Sequence, residues 1–392
     1  MRNIVNLEEN REKKKINKKK MIIVISVVVI ILIVAITMLI YFSSRDARKF
    51  LDKYLFRKNI TQEKLVSIDL DFDSNTNVFA YNKNICILAE NKLMVYNSSG
   101  KQEKAIDLEI NTPEYSVNDK YIAISEKNGS KIYLLNGSEI LWTASVDGQI
   151  SKINVNKNGY VSIILSGTAY KSVIVIYDKN GNELFKRYQA STKVVDTTIS
   201  DDNKYLAFAE VNTSGTTIGS SIKIVSIENP EEPIIYTYNA DSNKLIINIE
   251  YHNNKIICMF DDEISAIENN NCISIINLNE KDKNINFANI NLNGFVYRAT
   301  EQSDGLFNTN TLLEIVNTSN NKINVYTVEG VAKAIYSFNN LIAVNLGQEI
   351  EFINTSGWLI KRYNSEQEVQ SVVIGNGIAG IIYKDKVEII NL

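Results

Sequence analysis

A short pattern occurs eight times in this chain: one or two polar or glycine residues, then a brief apolar or alternating run. It reads NKNICIL (82–88), NDKYIAI (118–124), KNGYVSII (157–164), DNKYLAFA (202–209), NNKIICMF (253–260), LNGFVYRA (292–299), NNLIAVN (339–345) and NGIAGII (376–382). Its first apolar residues are Ile85, Tyr121, Tyr160, Tyr205, Ile256, Phe295, Leu341 and Ile378. Successive steps are 36, 39, 45, 51, 39, 46 and 37 residues, about 42 on average. That is the period of a four-stranded propeller blade, a meander of four short strands with their turns. Ala, Gly, Ser and Cys recur in the runs, as inner strands crowded around a central channel require.

Each repeat can be divided into strands A to D. In the second, YSV begins A, YIAIS is B, KIYLL is C and EILWTAS is D. The third reads ISKINV, YVSIIL, VIVIY and ELFKRY; the seventh reads VAKAIYSF, LIAVN, EIEFI and WLIKRY. No long amphipathic helical pattern follows residue 60, which excludes alternating β/α folds. The eighth repeat has EVQSVVI, GIAGIIY and KVEIINL and then reaches Leu392 without a D strand. An orphan strand, KLVSIDL (64–70), precedes the first repeat. A strand from one terminus completing the blade begun at the other leaves no open edge. The expectation is therefore an all-β propeller of eight four-stranded blades over residues 63–392, closed by strand 64–70. Seven blades is the alternative, because the fifth repeat is weak around DDEISAIENNNCISIINL, and a two-domain sandwich is more distant.

The stretch IYDKNGNELFK (176–186) places Asp178 and Gly181 between strands and invites a catalytic reading. The stretch recurs as VYNSSGKQEKAI (95–106) and FINTSGWLIKRY (352–363), with Asn97 and Asn354 where Asp178 stands. In IVNTSNNKINVY (315–326) Asn replaces the glycine. These are hairpin turns whose last position needs a left-handed backbone.

Residues Met21 to Phe42 are 22 uncharged residues without proline, longer than a bilayer core needs. The run is too long for a typical signal-peptide core and has no clear small-residue cleavage site after it, so it reads as an uncleaved signal anchor. The first 20 residues carry eight Lys or Arg against three Glu, and residues 43–60 carry six against two Asp. The denser basic cluster lies before the apolar run, which places the N-terminus in the cytoplasm and the rest outside a cell membrane. Residues 1–20 are then a basic tail, 21–42 a single span in contact with membrane lipid, and 43–62 a juxtamembrane linker. Within that linker Phe50, Leu51, Tyr54 and Leu55 fall at helical spacing, so it either extends the anchor helix or lies at the interface. From residue 63 onward 28 basic residues face 40 acidic ones, so a nucleic-acid partner is not expected.

With repeats such as DNKYLAFAE (202–210) and SIKIVSI (221–227) behind a basic tail and an anchor, the chain resembles propellers with quinoprotein-type repeats. More narrowly, it is similar to an uncharacterised clostridial family of single-pass membrane-anchored proteins with such an outer domain. The resemblance covers nearly the whole chain and implies no catalytic residues. Trp142 and Trp358 are the only tryptophans, too few for a recurring pattern around a quinone. No cofactor is implied.

Enzyme signatures are mostly absent, and no catalytic residue is proposed. His252 is the only histidine, which excludes zinc held by several imidazoles, and its setting EYHNNKI reads as a solvent-facing turn. A nucleophile elbow, a phosphate loop and a metalloprotease helix are not found. Cys86, Cys258 and Cys272 sit beside or within apolar runs and read as buried free thiols, with one disulfide as the alternative. Asp69, Asp71 and Asp73 could offer oxygens to calcium, but the loop lacks the glycine and distal glutamate of a full calcium loop. The abundance of asparagine reflects coding bias as much as structure.

Loop length is the better clue. The B–C connection is expanded in SGTAYKS (166–172), EVNTSGTTIGSS (210–221) and TEQSDGLFNTN (300–310). Equivalent loops leave a propeller on one face, and binding residues concentrate in loops on rigid scaffolds. Tyr170, Thr216, Thr217, Ile218, Leu306 and Phe307 are the expected partner contacts. The expected function is a membrane-tethered module, outside the cytoplasmic membrane, that binds an envelope protein or a wall polymer. The alternative is a ligand sensor or enzyme that uses the central channel.

Overall fold

The computed structural model describes the chain except for residues 1–17, 44, 61–64, 71–75, 90, 119, 138, 270, 282 and 305–307. It divides into two compact units, Met1–Asn59 and Ile60–Leu392.

In the first unit α1 (Lys18–Ser43) contains the whole apolar run, and its apolar side chains are exposed. The helix is long and apolar enough to cross a membrane. The linker forms a separate helix, α2 (Arg45–Tyr54), instead of prolonging α1. The tail residues 1–17 lie outside the described residues.

The second unit is an eight-bladed propeller in which neighbouring strands of each blade are antiparallel. Its apolar side chains do not meet in one core. They form eight clusters, each shared by two adjacent blades. The B strands show why. In blade two Ile122 and Ile124 point to blade one, while Ala123 between them points to blade three. In blade four Leu206 and Phe208 face blade three, and Ala207 and Ala209 face blade five. With successive side chains on opposite faces, a strand buried on both sides must be a continuous apolar run.

The doubtful fifth repeat forms a complete blade: Ile246–His252, Lys255–Phe260, Glu263–Glu268 and Asn271–Asn277. Its B–C turn is only Asp261 and Asp262, and the polar run ENNN (268–271) leads into its outer strand, which obscured the repeat. The count is eight, not seven. Val66–Asp69 is the outer strand of blade eight, with Val66 opposite Ile389 and Ile68 opposite Val387. At the seam with blade one, Asn376 N–H donates to Asn82 O at 2.7 Å. Beside it a Cβ on Gly375 would lie 2.6 Å from that same oxygen, so this position has no room for a side chain.

The polar doublets that open each repeat are the A–B turns. Asn82, Asn203, Asn253, Asn254 and Asn339 adopt positive φ there, which asparagine tolerates better than most residues. Several of them also reach a neighbouring blade. Asn156 Nδ2 donates to Asn203 Oδ1 at 2.6 Å, Asn293 N–H to Asn339 O at 2.8 Å, and Asn339 Nδ2 to Asn376 Oδ1 at 3.2 Å. At these turns asparagine has a structural role that coding bias does not explain.

Candidate functional site: a hairpin face and a polar channel

Asp178 is a turn residue. Its Oδ1 accepts the backbone N–H groups of Asn180 and Asn182 at 2.8 and 2.9 Å. Asn97 and Asn354 accept the corresponding pairs in their own turns. Slight burial would raise the Asp178 carboxyl, and the hydrogen bonds from Asn182 and Asn180 outweigh it and leave it lowered. Gly100, Gly181 and Gly357 take the left-handed conformation, and in the fourth turn Asn321 takes it.

The expanded connections differ from simple loops. In blade four the B and C strands run over Tyr205–Asn212 and Gly219–Ser226, eight residues each. In blade six they run over Phe295–Asp304 and Asn308–Asn317, ten residues each. Elsewhere B and C strands have five or six residues. In blade six the inner strand pairs as far as Glu301, whereas B and C stay paired through Asp304 and Asn308. Three residues beyond the inner strand carry this hairpin about 10 Å further.

A buried carboxylate holds the blade-four hairpin. Glu210 is 2 % exposed. It accepts Thr192 Oγ1 at 2.7 Å and Ser221 Oγ at 3.0 Å, and it pairs with Lys223. Nothing in the sequence pattern singles out this glutamate.

Tyr170 is exposed in the blade-three connection, with its ring 4.7 Å from that of Tyr188 on the outer strand Glu183–Gln189. Thr216 and Thr217 are exposed at the blade-four tip. Ile218 is also exposed, and its backbone exchanges hydrogen bonds with Asn243, on the loop leading to blade five. Leu306 and Phe307 lie outside the described residues, as do Asp71 and Asp73. Asp69 is an exposed strand residue opposite Lys386. Among the described residues no group of three His, Cys, Asp or Glu side chains could hold a metal ion. Cys86 and Cys258 are buried, Cys272 is half-buried, and all three are free thiols. Burial pushes the Cys86 thiol up to about 12.

Where the inner strands of blades two to seven converge lies a cavity of about 610 Å³. Amides and hydroxyls line much of it, and many of them tie blades together. Val155 N–H donates to Ser116 Oγ at 3.1 Å, Tyr251 N–H to Thr198 Oγ1 at 3.1 Å, and Asn154 Nδ2 to the Thr197 carbonyl at 2.9 Å. At the centre of these ties Asp196 is 2 % exposed. Its Oδ1 meets Lys152 Nζ at 2.5 Å and Thr197 N–H at 2.9 Å, and its Oδ2 accepts Ile249 N–H at 3.0 Å.

His252 does not face solvent from a turn. It ends the inner strand of blade five, and its side chain is 12 % exposed beside the cavity. Nε2 lies 3.4 Å from Glu250 Oε1, near enough for an ion pair but not aligned as a hydrogen bond. Burial alone would lower its pKa; Glu250, Asp201 and the Ile290 backbone outweigh burial and raise it. A raised histidine contributes stability that is fully present below its unfolded value and is lost as pH rises through the folded value. The His252→Gln variant should therefore lose more Tm relative to the parent near pH 5.5 than near pH 8.5, by differential scanning fluorimetry. An equal or larger loss near pH 8.5 contradicts this electrostatic account.

Fold and cavity together define an eight-bladed propeller with one hairpin-bearing face and a polar channel. Residues 57–392 match DUF5711, a family of unknown function, and the chain belongs to that family. No curated protein matches it. Among solved structures it is similar to BamB from Moraxella catarrhalis, at 12 % identity and a TM-score of 0.51, over 84 % of this chain and 99 % of that one. It is also similar to Chaetomium thermophilum Sqt1 bound to the N-terminus of ribosomal protein L10, at 11 % identity and a TM-score of 0.50, over 82 % and 98 %. At such identities the likeness concerns the fold.

Proposed function

We propose that this chain is a membrane-tethered binding module that offers the B–C face of its propeller to another protein or to a wall polymer outside the cytoplasmic membrane. In this reading α1 is an uncleaved anchor, residues 1–20 are cytoplasmic, and the propeller is extracytoplasmic. The observation that carries the proposal is the pair of lengthened hairpins on a rigid ring. Both are B–C hairpins, so both rise on one face, and the first is pinned by the buried Glu210. Exposed Tyr170, Thr216, Thr217 and Ile218 supply contact area there, and Leu306 and Phe307 join them in sequence position. The solved Sqt1 complex is a precedent for a propeller of this fold that takes a peptide. A tether raises the effective concentration near the membrane, so a weak contact suffices.

The test is in-cell cross-linking with mass spectrometry, comparing the full-length chain with a variant whose connections 210–221 and 300–310 are cut to short turns. Partner capture should fall by about tenfold, equivalent to ~1.4 kcal/mol, while circular dichroism shows the ring intact. Undiminished capture moves the interface off this face, and cross-links to cytoplasmic proteins alone reverse the topology. The polar lining of the 610 Å³ cavity favours a second reading, a small polar ligand bound in the channel. Native mass spectrometry of the purified protein would reveal such a ligand as added mass.

A further inference from the structure

The first unit holds an exposed apolar surface that neither the propeller nor the span explains. In α2, Phe50 and Tyr54 lie one helical turn apart with ring centroids 4.8 Å apart, and they are 61 % and 62 % exposed. Just past the helix Leu55 is 58 % exposed, and Phe56 is 49 % exposed with its ring 5.6 Å from that of Tyr41. A short segment that leaves four large apolar side chains about half or more exposed to water is costly unless something covers them.

The opposite side of α2 is tied to the end of α1. Asp52 is fully buried, and its Oδ1 accepts Tyr41 Oη–H at 3.0 Å and lies 2.9 Å from Lys58 Nζ. Arg48 Nε donates to the Tyr41 carbonyl at 3.1 Å, satisfying one of the last acceptors of α1. Lys58 Nζ also donates to Tyr41 Oη at 2.8 Å. Arg57 adopts a left-handed backbone, φ 50°, and reverses the chain so that Lys58 can reach both partners. These bonds hold α2 beside the last turns of α1 and prevent it from continuing the anchor's axis.

We propose that α2 is a membrane-surface clamp: its Phe50 and Tyr54 side, with Leu55 and Phe56 just beyond the helix, is seated in the headgroup layer of the bilayer that α1 spans, with a preference for anionic lipid. The inference rests on the reading of α1 as a span. Only residue 44 separates the two helices, so α2 begins within a few ångströms of the membrane surface. Aromatic side chains with one polar end, such as Tyr54 and Tyr41, favour that depth, and Phe42 and Phe56 pack edge-on against the Tyr41 ring. Residues 43–60 carry six Lys or Arg against two Asp, and Asp52 is already neutralised by Lys58. The remaining positive charge complements anionic headgroups.

The experiment uses the full-length chain in vesicles of pure phosphatidylcholine and in vesicles with about one-third phosphatidylglycerol, a composition at which surface charge dominates. Alkaline washing reports whether α1 is inserted, and hydrogen exchange of residues 45–56 reports α2. The expected result is retention in both vesicles, with exchange of α2 at least about fivefold slower in the anionic ones. That difference should shrink at high salt, which screens surface charge, and vanish in Phe50→Ser/Tyr54→Ser. Retention with equal, rapid exchange in both vesicles overturns the clamp and leaves the anchor standing. Equal protection in both removes the anionic preference and overturns the proposal in that part. Release by the alkaline wash overturns the anchor reading and the clamp with it.

Discussion

The double substitution Val66→Asp/Ile68→Asp is expected to lower the unfolding stability of the propeller by about 3–5 kcal/mol, the cost of two half-buried apolar contacts and an unpaired edge. Val66 and Ile68 are the half-buried positions of the four-residue closing strand. Val66 also fills the space beside Gly100, where a Cβ would lie 2.0 Å from Val66 Cγ1, so this strand touches the hairpin of blade one as well as blade eight. Charging it leaves Val387 and Ile389, both buried, on an open edge. Edges of that kind invite pairing with other chains, so aggregation should accompany the loss. The check is the urea midpoint of the full-length protein in detergent by circular dichroism. The control is Ser67→Thr, exposed on the same strand, with an expected change within about 0.5 kcal/mol. If the double variant unfolds at the parent's midpoint, this strand does not close the ring.

Asp196→Ala should cost about 3 kcal/mol, at the low end for a broken buried ion pair because Lys152 keeps partial access to water. The carboxylate serves three blades at once: Lys152 and Asn154 in blade three, its own strand in blade four, and Ile249 in blade five. Truncation leaves the Ile249 N–H with Asn248 Oδ1, at 2.9 Å, as its remaining acceptor, so most of the loss comes from the unpaired Lys152 charge. Asp196→Asn keeps the shape and one acceptor, so its loss should be smaller. Equilibrium unfolding in urea separates the three proteins. A loss below about 1 kcal/mol for the alanine variant would mean that the seams hold without the channel's polar ties.

Much of this architecture is legible in sequence because the blade is a repeated solution to one packing problem. Runs such as IAI at 122–124 and LAFA at 206–209 are apolar on both strand faces because both face other blades. The orphan strand and the missing eighth D strand point to each other for the same reason. Blade five is harder to read, since the acidic turn at Asp261 and Asp262 and the polar run ENNN at 268–271 break up its apolar pattern. The site is less legible. Expanded B–C connections show as length, but in blade four the pairing of the added residues is supported by Glu210 and its partners, which come from three separate segments. His252 reads as a turn residue because its neighbours Asn253 and Asn254 are turn residues, while its burial depends on strands distant in sequence. Asparagine looks like a compositional accident until the A–B turns are seen joined across the seams.

The eight apolar clusters lie between blades, so the molecule has a perimeter of small interiors and no common centre. A substitution inside one of them disturbs two neighbours and is remote from the other six. Lengthening a hairpin at its tip disturbs no cluster at all. Such a chain can diversify what it displays while leaving its fold untouched, and inheritance of the scaffold is thereby uncoupled from inheritance of the surface.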